Sequence, residues 1–468
     1  MVDKVSIKRI GVWAAASLVV SNMVGAGIFT TSGFLAENLG SPVLLLAVWA
    51  LGGLLALAGA SSYGELGASL PRVGGDYIYL RRAYGPLWAF LSGWMSFFAG
   101  FSAPIALTAL GFVEHITPFA PSLATQGHVP LFNLWGLSPT ISPGRLAAIA
   151  AIWLLTSLHY LGIRVSGRFQ LTLTVVNISL ILSFLFVAFS SGAGDWKHFD
   201  IPAGGIFQAV SGKLAEIAVS LIIVHYAYTG FNAAAFIAGE MENPGRNLPR
   251  ALIAGAGLVT ALYLALNLVY VYALPLERMA GKIDVAKLAA TALTGEKSGG
   301  FFSLVIAVCV LACSSAMVCI GSRIYYAMAQ DGLFFSFAGR TSPRFGTPGQ
   351  ALLLQAVWAS ALVVLGTFRQ LLTYCGFMLS FFTALAVGGV FVLRRREPRL
   401  ARPYRVWGYP FTPAVYLGVA ILVMGYVIAK DPGESLVGIG LVSLGIPVYY
   451  LWKRKEVKAS GGGNKNYM

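Results

Sequence analysis

The feature that most constrains this chain is the recurrence of apolar runs about twenty residues long, the length that crosses a bilayer as a helix. They fall near 12–38, 43–68, 86–115, 144–163, 168–190, 213–240, 248–275, 300–330, 350–367, 370–393, 412–429 and 435–452. Of the 468 residues, 57% are hydrophobic and only 11% are charged. A water-soluble fold could not hide that much apolar surface. The pattern predicts an all-α, multi-span membrane protein with twelve transmembrane helices. The first run is too long for a secretory leader, and no small-residue cleavage site closes it, so it is expected to stay as a span.

The net charge of +15 is spread over the short connections rather than gathered in one patch. That argues against nucleic acid as a partner and reads as a topology signal. With the N-terminus inside, 23 Lys and Arg fall on the inner side and 9 on the outer, and Arg323 lies within a span. Both termini are therefore expected in the cytoplasm, with the protein in the plasma (cytoplasmic) membrane. The inner connection "PRVGGDYIYLRRAYGP" (71–86) sets Tyr77, Tyr79 and Tyr84 among basic residues, which suggests a short interfacial helix. The glycine-rich tail at 456–468 is expected to be disordered. Cys309, Cys313, Cys319 and Cys375 all fall inside apolar runs and read as packing residues without disulfides.

Two spans are written badly for plain membrane anchors. The first contains "SNMVGAGIFTT" (21–31) at its midpoint, and the sixth contains Thr229-Gly230 within "HYAYTGFNAAAFIAGE" (225–240). Gly costs roughly 1 kcal/mol relative to Ala inside a helix. Unwound backbone is tolerated at membrane depth only where protein or a watery cavity satisfies it. A break frees amides at the head of the second half-helix, which suit an anion, and carbonyls at the end of the first, which suit an ammonium group. A lone Gly-x-Gly usually marks a close helix contact. Two interruptions separated by five helices point instead to a binding site between inverted repeats. Spans 1–5 (within 1–200) and 6–10 (within 201–395) would form the repeats. Spans 11 and 12 (within 396–455) would be additions.

At these residues the chain resembles the amino acid–polyamine–organocation superfamily, and within it the bacterial relatives of the L-type amino acid exchangers. The resemblance rests on "NMVGAGIF" (22–29), "YGELGASLPRVGGDYIYLRRAYGP" (63–86), "YAYTGFNAAAFIAGEMENPGRNLPRAL" (226–252) and "GSRIYYAMAQDGLFF" (321–335). It implies the five-plus-five inverted repeat of the leucine-transporter type, with helices 1 and 6 broken, and amino-acid uptake or exchange by alternating access. It implies that Gly25, Ala26 and Gly27 hold the substrate carboxylate through their amides, and that the Met23 carbonyl takes the α-amine. Tyr226, Ala227 and Thr229 would lie around the amine, with Asn232 just beyond, and Tyr226 would also close over the substrate as an outer gate.

The chain departs from relatives in two places. Where many carry a lysine in span 5 it has Asn177, and in span 10 Leu379 stands where some have Asn. Ser314-Ser315 in span 8 falls where sodium-coupled members use paired hydroxyls, although such a pair also serves helix packing. A sodium-coupled symporter is therefore one alternative. A non-transporting amino-acid sensor is another, but no large soluble signalling segment accompanies the spans. Relatives that pair with a single-span glycoprotein use a cysteine between spans 3 and 4. Residues 116–143 have none, so no disulfide-linked partner is expected.

The remaining ionisable residues refine this reading. His225 precedes the second break and reads as a proton-coupling or a structural histidine. Glu65, Glu240 and Arg323 sit near inner ends of spans and could pair as an inner gate, Glu65 least readily, while His159 reads as interfacial. No acidic residue is evident near either break, which favours neutral L-amino acids over cationic ones. The chain lacks the P-loop, H-E-x-x-H, C-x-x-C and Gly-x-Ser-x-Gly patterns, so neither an enzyme nor a cofactor is expected. Its five histidines are scattered, and no metal site is expected.

Overall fold

The computed structural model describes residues 10–124, 129–130, 140–200, 210, 212–295, 298–366, 368–430 and 432–460. The C-terminal tail from 461 and the side chains of Cys375 and Leu379 lie outside the described residues.

The chain opens with α1 (Val12–Met23) and α2 (Gly27–Leu39), which meet at a 45° bend. Gly40 ends α2 in the left-handed conformation. Ser41 then caps α3 (Pro42–Ser69), its Oγ accepting from the Leu44 amide at 3.5 Å. A short helix, α4 (Asp76–Tyr84), leads into α5 (Pro86–Met95). That helix runs through a π-turn at Ser96–Gly100 into α6 (Ser102–Ile116). Then come α7 (Pro143–Tyr160) and α8 (Ile163–Ser190). Next is α9 (Leu214–Ala227), which stops short and resumes as a 3-10 segment, Ala233–Glu240. The rest is α10 (Pro244–Ala273), α11 (Val285–Thr294), α12 (Ser298–Gln330), α13 (Gly349–Leu365), α14 (Phe368–Arg396), α15 (Phe411–Lys430) and α16 (Pro432–Ser460).

Among the described residues, seven helices are long and apolar enough to cross a membrane, or eight with α1 and α2 as one bent span. Their burial separates centre from periphery. In its most apolar window α12 is 78% buried, whereas α8 is 28% and α15 and α16 are 22% buried. Leu182, Phe186, Ile421 and Leu422 point outward from these peripheral helices. Apolar helices with most of their surface uncovered need a non-aqueous neighbour, and lipid supplies it. In the interior, α1 packs between α8, α10 and α12, and α3 lies along α10.

The tyrosine-rich helix expected in 71–86 forms as α4, and two of its three tyrosines turn into the protein. Tyr77, Tyr79 and Leu80 are fully buried. The cause is the preceding Gly74-Gly75. The Gly74 amide donates to the Phe236 carbonyl at 3.0 Å. At Gly75 (φ +52°) a Cβ would lie 2.4 Å from the Phe236 ring. Only glycine lets this loop reach the 3-10 segment, and the docking draws the head of α4 into the protein.

Candidate functional site: two chain breaks and the cavity beside them

Between α1 and α2 the backbone leaves helical geometry at Val24 (φ −77°, ψ 86°). Among the described residues the amides of Ala26, Gly27 and Ile28 have no backbone acceptor. Gly25, Ala26 and Gly27 are partly exposed, while Met23 and Val24 before them and Ile28 and Phe29 after them are buried. Free amides and the positive end of α2 are thus accessible in the middle of a closely packed helix pair, an arrangement suited to an anion.

The second break mirrors the first. After Ala227 the chain turns, and the Thr229 amide and Oγ1 both donate to the Tyr226 carbonyl, at 3.1 and 2.8 Å. Gly230 takes φ +99°. The two breaks touch. Asn22 Nδ2 donates to the Gly230 carbonyl at 3.1 Å, and a Cβ on Gly27 would lie 3.2 Å from that of Ala227. Tyr263 of α10 ties them together, its hydroxyl 2.7 Å from the Met23 carbonyl and 3.3 Å from that of Ala227. Trp49 packs edge-on against the Tyr263 ring at 5.4 Å. Sequence reading missed Tyr263. A tyrosine in the apolar run "ALYLAL" looks like core, and only its tip reveals the role.

Beside the breaks lies a cavity of about 50 Å³. Asn22, His225, Thr229 and Asn232 contribute its polar wall, and Phe101, Phe231, Phe236 and Met317 much of the apolar one. Of the predicted site residues, Thr229, Asn232 and His225 line this cavity. Met23, Gly25, Ala26, Gly27 and Ala227 belong to the breaks and do not line it. Tyr226 is 36% exposed and also stands outside the lining. The His225 ring packs 5.7 Å from that of Tyr416.

One expectation is overturned. The cavity wall does carry an acid, Asp76, from the first turn of α4. It is 7% exposed, and its Oδ1 has no hydrogen-bond partner among the described residues. Burial pushes its carboxyl up to about 7, against smaller opposing effects from Tyr63 and Asn232. The residue is far in sequence from both breaks, and only the docking of Gly74-Gly75 brings it there.

The residues considered for ion coupling separate into two environments. Ser315 Oγ donates to Gln170 Oε1 at 2.7 Å and lies 2.9 Å from His159 Nε2. Ser315 is therefore committed to a buried network. His159, expected at an interface, is fully buried in that network instead. Asn177 and Ser314 are also buried, yet neither amide atom of Asn177 nor the Ser314 hydroxyl has a partner among the described residues. No group of three or more His, Cys, Asp or Glu among the described residues is placed to hold a metal ion.

Ion pairs gather at the face that bears Ile10. Arg323, fully buried, bonds both Glu240 oxygens at 3.1 and 3.3 Å and donates to the Cys319 carbonyl at 2.7 Å. Glu65 does not join them. It accepts from Arg394 and from the Val406 amide at 2.7 Å, with Arg402 at 3.4 Å, because α14 and the stretch after it cover the end of α3. A parallel bridge ties Ile10 to the segment after the second break, Ile10 N to Glu240 O and Glu242 N to Ile10 O, both 3.0 Å.

Apolar helices of membrane-crossing length, with two chain breaks pinned together beside a largely apolar cavity, define the class: an integral membrane protein. The sequence comparisons agree. Residues 10–437 match the amino acid permease family, and the chain belongs to it. It is 30% identical to the serine/threonine exchanger SteT of Bacillus subtilis (strain 168), across 96% of this chain and 98% of that one. It is 27% identical to the Asc-type amino acid transporter 1 of Mus musculus, over 97% of this chain and 83% of the relative. Identity to the large neutral amino acids transporter small subunit 2 of Homo sapiens is 27%, over 96% and 81%.

Proposed function

We propose that this permease carries neutral L-amino acids across the plasma membrane by alternating access, as an exchanger or proton-coupled permease. The observation that carries the reading is the set of free amides at Ala26 and Gly27, partly accessible between buried neighbours and pinned against the end of α9. In this reading Gly25, Ala26 and Gly27 cradle the carboxylate, with the free amides of Ala26 and Gly27 donating to it, while the Gly25 amide donates to the Met23 carbonyl at 2.9 Å. Carbonyls at Met23 and around Tyr226, Ala227 and Thr229 take the ammonium group, and the side chain enters the cavity beside Asn232. Tyr226 closes over the substrate from outside. The names of the relatives, which include serine, threonine and large neutral amino acids, favour neutral substrates. A cavity wall without Lys or Arg among the described residues disfavours an anionic side chain.

The proposed architecture has twelve spans, with both termini in the cytoplasm. Spans 1–5 and 6–10 form a five-plus-five inverted repeat, and α15 and α16 follow as spans 11 and 12. The face bearing Ile10 is then cytoplasmic. The chain works without a disulfide-linked partner, since residues 116–143 contain no cysteine.

Purified protein in liposomes preloaded with unlabelled amino acid should accumulate labelled L-serine, and a panel of the twenty amino acids should compete in order of fit. A Gly27→Leu variant should fold yet lose uptake, because its side chain would wedge against Ala227. Saturable binding with no label ever crossing would turn the reading toward a sensor.

A further inference from the structure

Asp76 is unexplained by the amino-acid site as described. It is an acid in the wall of a largely apolar cavity, and among the described residues it enters no ion pair. We propose that the Asp76 carboxyl is a proton-binding site, loaded while the cytoplasmic side is closed and emptied when it opens, so that a proton accompanies the amino acid. The inference rests on the transport reading above and names the group that would bind the coupled ion.

The surroundings decide which charge state fits. Tyr63 of α3 and Asn232 after the second break face the carboxyl, and Tyr79 of its own helix and Tyr416 of α15 complete the ionisable groups around it. Phe231 packs edge-on against both Tyr63 and Tyr416, at 5.8 Å each. Across the cavity stands His225. Tyrosines and an amide can donate hydrogen bonds but cannot neutralise a charge. An unpaired carboxylate here would bear a desolvation cost that Tyr63 and Asn232 offset only in part, and the acid form avoids it. His225 behaves in the opposite sense. Protonating it would create a charge in the same unpaired cavity, whereas protonating Asp76 removes one.

The mounting of α4 supplies the coupling to motion. Its head is bound through Gly74 to Phe236, beside the second break. One turn further, the Tyr77 hydroxyl donates to Asp331 at 2.9 Å, and Arg81 pairs with the same carboxylate just beyond the end of α12. Asp76 thus lies where the segment after the second break and the end of α12 are bridged by one short helix. An opening at this face has to part those two bodies, and water then reaches the carboxyl. The proton passes to that water, leaving a hydrated carboxylate, and the site is reloaded from the outer solution once the face has closed.

The sign follows from the two environments. The acid form is favoured when closed, up to about pH 7, and the carboxylate when hydrated, down to the ordinary value of 3.8. Between those limits each unit of acidification favours the closed state by up to about tenfold, and above that window the dependence flattens. Going from pH 7.5 to 5.5, the closed-to-open ratio should rise on the order of tenfold.

The test uses proteoliposomes with entrapped pyranine and L-serine as the probe. Serine added outside empty vesicles should acidify the lumen as label enters, and counterflow should depend on pH in the window above. Asp76→Asn should abolish lumen acidification and flatten the pH profile. Asp76→Glu should retain both. Serine counterflow in the native protein without any pyranine signal would overturn the proton site while leaving the transporter reading intact. An Asp76→Asn protein with native acidification would do the same. Failure of native counterflow itself would remove the transport reading and this inference with it. Should Asp76→Asn not fold, the native pyranine measurement still decides.

Discussion

Three glycines in the breaks face different surroundings, and alanine at each should report the geometry as a graded series. At Gly230 the added Cβ would lie 2.6 Å from Asn22 Nδ2 and 2.9 Å from the Asn22 carbonyl oxygen, in a backbone at φ +99°. Left-handed geometry costs a non-glycine residue roughly 1–2 kcal/mol. Displacing Asn22 also breaks its 3.1 Å bond to the Gly230 carbonyl, about 0.5–1.5 kcal/mol more. Together these approach ~3 kcal/mol, more than a hundredfold in the population of paired breaks. At Gly27 the new Cβ meets Ala227 Cβ at 3.2 Å and Cα at 3.3 Å. Backbone there cannot swing away, so a cost of about 1 kcal/mol is expected. At Gly25 the neighbour is Cys313 Sγ at 3.6 Å, an ordinary contact, and no positive φ is required. That change should stay within about 1 kcal/mol. Thermal unfolding in detergent and labelled-serine counterflow in liposomes should both rank the variants Gly25→Ala, Gly27→Ala, Gly230→Ala from mildest to most damaged. A Gly230→Ala protein with native stability and native KM would refute the paired-break geometry outright, whatever the other two do.

Other expectations follow from the same contacts. Tyr263→Phe leaves the Met23 and Ala227 carbonyls without their shared donor, so stability should fall by about 1–3 kcal/mol and KM for serine should change more than expression level does. Glu240→Gln removes the partner of a fully buried Arg323, and losing one member of a buried pair costs roughly 3–5 kcal/mol. A Glu240→Gln/Arg323→Met double variant should recover most of the thermal midpoint, and a recovery no better than the single variant would show that the pair is not the source. Glu65→Gln should be similarly damaging, because three partners converge on that carboxylate; solubility and unfolding midpoint measure it.

The apolar runs and both breaks were legible in the sequence because lipid and unwound backbone each impose a composition. Twenty apolar residues, or glycine at mid-membrane, cannot be disguised by tertiary context. The contacts between breaks were less legible. Asn22 and Gly230 are 208 positions apart, and their hydrogen bond depends on how α1 and α9 cross. Tyr263 was hidden because its ring satisfies the core while only its hydroxyl serves the site. Asp76 was missed for a different reason. A carboxylate between two glycines and a tyrosine-rich basic helix reads as a solvated helix start, and its burial comes from a loop docking that no local pattern announces. His159 was misplaced, and the partners of Glu65 were not foreseen, by the same limit: a position near a helix end says nothing about which later segment will cover it.

The distribution of contacts describes one state of a cycle. Every latch described here sits at the face bearing Ile10: the Ile10–Met241 bridge, the Arg323–Glu240 pair, the Glu65 cluster and the Arg81–Asp331 pair. At the breaks themselves, Gly25 to Gly27, Thr229 and Gly230 keep partial exposure, and Tyr226 is about a third exposed. In the proposed orientation this is a protein shut to the cytoplasm and accessible from outside. Ionic latches suit such a gate better than apolar packing would. A buried pair gains little net free energy over a hydrophobic substitute, because desolvation offsets much of the attraction. Water entering as the face parts returns that desolvation, so the pair opens at modest net cost. An apolar seam would instead lose about 25 cal/mol for each Å² wetted, with nothing returned.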